Sequence, residues 1–272
     1  MTAAGPSGAS HQPQRVRVGH VQWVSERLSE RDGAIIASVA RLRLVTSAQL
    51  ERLHFHDLAA SARARVRRRV LARLVAWRVL MTMPRRIGGA RAGSMGLLFA
   101  LDSAGQHLAS LGAGSIRRPR EPSLALLGHT LAVSELYVAL VELSRADGFQ
   151  VSDYLTEPAC WQPNGYGGWL KPDAYLKLSA ETFDDYWWIE ADKDTEHLPT
   201  IRRKLLVYLD HVNGGGSGPE GITPRVLVTV PNEERRAAIA ELISRLPDPA
   251  AKLLHVATEE HAPEYLLRIL RE

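Results

Sequence analysis

The chain has 272 residues, 45% of them apolar and 24% charged, with a formal net charge of +4. That is the composition of a soluble globular protein, and no apolar run approaches the roughly 18 to 20 residues that a membrane span requires. The single cysteine, Cys160, excludes an intramolecular disulfide and any cysteine-based zinc cluster. The mild net charge hides a division: residues 1–120 hold 20 Arg, no Lys and 6 acids, a balance of +14, whereas residues 121–272 hold 14 Lys and Arg against 24 acids, a balance of −10. A half so basic expects a polyanion; an acidic half expects metal ions, a basic partner or water. Biased base composition explains why Arg outnumbers Lys 29 to 5, but not why the arginines cluster.

Residues 1–19 are rich in Gly, Pro, Ser and Gln and read as a disordered tail, not as a signal peptide. Residues 20–120 form the basic part. Residues 32–42 read as a first helix, with Ile35, Ile36 and Val39 at helical spacing. Thr46 is an N-cap for a short second helix over residues 49–54, with Leu50 and Leu53 inward. A third helix spans residues 61–77, where Val66, Val70, Leu74 and Trp77 form an apolar stripe while Arg65, Arg68, Arg69, Ala72 and Ala76 fall on a different face. Small residues beside forked guanidinium groups suit a helix lying close to DNA. No acid occurs between Leu58 and Leu101, a stretch with ten arginines. Strands over residues 79–83 and 96–101 flank a basic, glycine-containing loop with Arg85, Arg86 and Arg91, which has the character of a wing. The expectation is a winged helix-turn-helix that binds double-stranded DNA through Arg65, Arg68, Arg69, Arg73, Arg85, Arg86 and Arg91. Trp23 is expected to pack on this module.

Two prolines within residues 117–122 mark a linker, so a second domain is expected over residues 121–272. A long helix over residues 124–143 precedes strands at 151–155, 173–178 and 186–190. A helix at 198–212, a strand at 225–230, a further helix and a strand at 253–257 follow. Such alternation predicts an α/β domain, a mixed sheet flanked by helices. Asp173 opens one strand and Glu190 closes the next. Two carboxylates at neighbouring strand ends can hold Mg²⁺, which activates a water and neutralises charge on a scissile phosphate. Glu135 shares a helix face with Leu131 and Val138, where an acid needs a partner. His54 and His56 lack the companions of a zinc site, and the glycine-rich loop at 213–218 lacks the lysine of a phosphate-binding loop.

Pro172-Asp173 and Glu190 resemble the motif of the PD-(D/E)xK nuclease superfamily, which implies a restriction-endonuclease-like core, Asp173, Glu190 and Glu135 as a carboxylate cluster, and a divalent metal. The lysine that the motif places two residues after the Glu is Asp192 here, and Lys193 points to the opposite side. Lys204 with Tyr208 resembles a helix element of RecB-type nucleases, which implies that Lys204 takes over the phosphate contact. His129 with Glu135, Pro172-Asp173, Glu190 with Asp192, and Lys204 with Tyr208, following a winged helix, resemble the actinobacterial replication-relaxation family of plasmids and integrated mobile elements. That resemblance covers roughly residues 30–230 and makes Asp192 a family trait.

Two readings stay open. One is a cytoplasmic, Mg²⁺- or Mn²⁺-dependent DNA nicking or cleaving protein, with Asp173, Glu190, Glu135 and Asp192 as metal ligands, Lys204 on the phosphate, and His129 and Tyr208 in support. The other is a DNA-binding accessory factor or regulator, without a cofactor, whose nuclease-like domain is catalytically inactive. In either, other plasmid replication or transfer proteins are the expected partners.

Overall fold

A computed structural model describes residues 16–83, 97–110, 124–165 and 167–272. Helix α1 (Val18–Ser25) begins inside the stretch expected to be a tail. Its anchor is aromatic: His20 Nε2 lies 2.9 Å from the Trp77 carbonyl, and Trp23 meets the Trp77 ring edge-on. Trp23 therefore packs on the basic part as expected. Helix α2 (Glu30–Leu42) starts two residues before the expected position, because Ser29 and Asp32 form a reciprocal capping box. Thr46 and Gln49 do the same for α3 (Ser47–His54), directly after the two-residue strand β1 (Val45–Thr46). Helix α4 (Ala60–Ala76) leads into β2 (Leu80–Met83), β3 (Leu98–Leu101) and α5 (Ser103–Ser110). The three strands make an antiparallel sheet in the order β1-β3-β2. A Cβ at Gly105 would lie 2.1 Å from the Val79 carbonyl oxygen, so only glycine lets α5 approach so closely. Arg85, Arg86 and Arg91, the linker at 117–122 and the boundary after Arg120 lie outside the described residues.

Helix α6 (Leu124–Asp147) opens the acidic part and runs into β4 (Gln150–Thr156). A small hairpin of β5 (Gln162–Pro163) and β6 (Trp169–Leu170) follows, then β7 (Ala174–Ser179), β8 (Asp184–Ala191) and α7 (Leu198–Asn213). The chain closes with β9 (Arg225–Val230), α8 (Glu233–Ser244), α9 (Ala250–Leu253), β10 (Leu254–Thr258) and α10 (Ala262–Arg271). Five strands form one mixed sheet in the order β10-β9-β8-β7-β4, with β8, β9 and β10 parallel and the β7 pairings antiparallel.

Alternation along the strands decides which face each helix covers. Leu176, Trp187, Ile189 and Leu227 pack with Val138 and Leu140 of α6 and Leu266 of α10. Tyr175, Trp188, Val226 and Val228 on the opposite face pack with Leu205 and Tyr208 of α7 and Ile239 of α8. The fold is thus a mixed α/β arrangement, a five-stranded mixed sheet flanked by helices on both faces, preceded by a helical part with its own three-stranded sheet.

The basic and acidic parts share one continuous apolar cluster, in which Ile35, Leu50 and Phe99 join Val138, Tyr154 and Trp187. Polar ties run along the same seam. The Ser134 hydroxyl donates to the Leu44 carbonyl at 2.9 Å, and the Thr156 hydroxyl to the Arg41 carbonyl at 2.6 Å. Arg145 donates to the Arg52 and Leu53 carbonyls, occupying acceptors that the last turn of α3 leaves free. No helix among the described residues is long and apolar enough to cross a membrane.

Candidate functional site

Helix α4 is built almost wholly from Ala, Arg, Leu and Val, and the Ala and Arg content favours helix even where nothing packs. Leu71 and Leu74 are buried, while Val66, Val70 and Trp77 lie partly buried against the same core. Leu71 is the addition to the expected stripe. The opposite face exposes Ala64, Arg65, Arg68, Arg69, Ala72 and Ala76. Arg68 donates to the Ala64 carbonyl of its own helix at 3.3 Å, and Arg65 and Arg69 form no ion pair or hydrogen bond among the described residues.

Other arginines of the helix are engaged by the protein. Arg67 pairs with Glu51, and Arg63 donates to the carbonyls of His56 and Leu58. Arg73, expected to face DNA, holds both oxygens of the fully buried Asp32 at 2.7 and 2.6 Å. The physical reason is the cost of a buried carboxylate without a partner. Arg73 thus ties α4 to the capping box of α2.

The second cluster lies where α6, β7, β8 and α7 meet. The antiparallel register pairs Ala174 with Ile189 and Tyr175 with Trp188, so one step further Asp173 stands opposite Glu190. Asp173 Oδ2 accepts from the Ala191 amide at 2.8 Å, and its Oδ1 lies 3.1 Å from His129 Nε2. The other ring nitrogen, His129 Nδ1, lies 3.0 Å from the Ala191 carbonyl oxygen. A carbonyl only accepts, so His129 Nδ1 donates to Ala191 and Nε2 faces the Asp173 carboxylate. The Asp173 bond accordingly raises the His129 pKa above its usual value, against the effect of burial. Burial pushes the Asp173 carboxyl up, but the His129 bond and the Lys204 charge outweigh it and leave the carboxyl below its usual range.

Lys204 projects from α7 onto both carboxylates. Its ammonium touches Glu190 Oε2 and lies 4.0 Å from Asp173 Oδ2. Tyr208, one turn on, donates its hydroxyl to Glu190 Oε1. Burial, then the neighbouring Asp173, push the Glu190 carboxyl up to about 8, against the pull of Lys204 and Tyr208. The Lys204 ammonium loses hydration on burial, yet the two carboxylates more than compensate and hold it firmly protonated. Asp173, Glu190, Lys204, His129 and Tyr208 are thus brought together. The adjoining pocket, lined by His129, Glu190, Asp192 and Lys204, measures about 80 Å³. That is room for a few waters and not for a nucleotide.

Two expected members are not brought in. Glu135 accepts from Gln49 at 2.9 Å and pairs with Arg52, both on α3, and lines a separate groove with Glu142 and Glu259. Asp192 borders the pocket, but its Oδ2 is held by Arg235 Nε at 2.6 Å and its Oδ1 accepts from the Asp194 amide. Arg52 and Arg235 lie 83 and 43 residues from the acids they hold, beyond the reach of any local pattern.

The residues present do not fit a divalent ion in this arrangement. Among the described residues no three His, Cys, Asp or Glu side chains form a ligand set. The carboxylate oxygens that would receive an ion carry Lys204, His129 and Tyr208 instead.

A mixed α/β chain with a basic helical part and a lysine-bridged carboxylate pair defines the class. The family model described as replication-relaxation matches residues 36–226, and the chain belongs to that family. Comparisons with curated proteins and with solved structures give no match.

Proposed function

We propose that this chain is a double-stranded-DNA-binding protein of plasmid or mobile-element replication and relaxation, and that the exposed face of α4 is its docking surface. The observation that carries the reading is that Arg65, Arg68 and Arg69 face solvent beside Ala64, Ala72 and Ala76. Long cations flanked by methyl groups let a helix approach phosphates and base edges closely. The order of helix, short strand, helix, helix and two strands supports the reading as a winged helix-turn-helix in which α4 would take the recognition position. On this reading residues 20–120 dock on the duplex and residues 121–272 carry a PD-(D/E)xK-like domain. Membership of the replication-relaxation family supports the setting.

The test is duplex binding as a function of salt. Replacing Arg65, Arg68 and Arg69 with Ala is expected to weaken binding and to lower the slope of log affinity against log salt by about 2 to 3, at about 0.9 for each phosphate no longer neutralised. An unchanged slope removes α4 from the interface.

A second reading, cleavage of a phosphodiester bond, is favoured by one observation: Asp173, Glu190, Lys204 and His129 converge beside a single pocket. Its test is conversion of supercoiled plasmid to nicked circles with Mg²⁺ or Mn²⁺ present. Nicking by the wild type and none by Asp173→Ala is expected; equal nicking by both, or none by either, removes the reading.

A further inference from the structure

We propose that Lys204 is the resident cation of the carboxylate pocket: its ammonium occupies the position that a divalent ion would take between Asp173 and Glu190, so that ion loading requires Lys204 to move out. The inference deepens the cleavage reading and rests on it for the importance of the pocket, yet its test follows ion binding and not strand breaks.

Geometry carries it. One Nζ contacts Glu190 and approaches Asp173 to 4.0 Å, a bridge between two strands made by a third element. Among the described residues the Lys204 ammonium is the polar contact of Glu190 Oε2. His129 Nε2 holds the other oxygen of Asp173 at 3.1 Å. A dication entering between the carboxylates would meet the Lys204 ammonium across a few ångströms of poorly screened space.

Movement is available to Lys204 and not to its partners. Its side chain is 36% exposed, against 4% for Glu190 and 11% for Asp173. A flexible lysine stem can swing to solvent or to a phosphate, while Glu190 is fixed within β8 and Asp173, just before β7, is held by the Ala191 amide and His129.

The experiment titrates Mn²⁺ into the full chain without DNA and reads the free ion by electron paramagnetic resonance. Lys204→Gln is expected to bind one Mn²⁺ about tenfold more tightly than the wild type, or better. Lys204→Arg, which keeps the charge, is expected to match the wild type, and adding Asp173→Asn to Lys204→Gln is expected to abolish the gain. A gain in the arginine variant, no gain in the glutamine variant, or a gain that survives Asp173→Asn overturns the proposal. One comparison does not depend on how the Lys204 variants fold: Asp173→Asn alone is expected to leave Mn²⁺ uptake as it is in the wild type. Tight wild-type uptake of one ion that Asp173→Asn removes overturns the proposal as well.

Discussion

Burial and charge oppose each other at Glu190. Its carboxyl is 3% exposed and touches a lysine, yet its pKa rises from 4.5 to about 8 because burial and Asp173 outweigh Lys204 and Tyr208. The folded value lies above the unfolded one, so the folded state binds this proton more tightly. The associated stability is fully present below pH 4.5 and is lost as pH rises through about 8. Asp173 is shifted the other way and acts only in more acidic solution. The stability of the wild type is therefore expected to fall across the neutral range by about 2 to 4 kcal/mol more than that of Glu190→Gln, seen as a larger drop in melting temperature. Parallel melting profiles for the two proteins would show that Glu190 does not titrate there.

Helix α4 separates what a sequence shows from what only the fold shows. Helical periodicity on one side and arginine with alanine on the other are enough to identify its exposed face, because both are local properties. The same periodicity cannot sort Arg73 from Arg69, because the distinction lies in Asp32, 41 residues earlier and on another helix. A helix begun at Asp32 leaves out Ser29 and with it the capping box that explains why this acid is buried. Arg73→Ala is accordingly expected to cost about 3 kcal/mol of stability in denaturant unfolding, since it strands a buried carboxylate, while leaving the salt dependence of DNA binding unchanged. A stable variant with a reduced salt slope would return Arg73 to the docking face.

Across the whole molecule the same contrast holds for the carboxylates. Asp173 and Glu190 are legible in the sequence because they stand at the ends of neighbouring strands, and Lys204 because its helix element resembles that of the family. Glu135 and Asp192 look equivalent to them there, but Arg52 and Arg235 hold them in other networks. Helix α6 connects the two parts: His129 reaches the pocket while Glu135, six residues on and on another face, is held by α3. The continuous apolar cluster gives both parts a common core, so the α4 face and the pocket sit on one packed framework. The central claim, that the exposed face of α4 is what meets DNA, is tested most directly by photocrosslinking. With p-benzoylphenylalanine placed at Ala72 on that face, or at Ala37, also exposed, on α2, irradiation with a labelled duplex is expected to crosslink the first protein and not the second. Crosslinks from Ala37 and none from Ala72, or none from either while the duplex is bound, would contradict it.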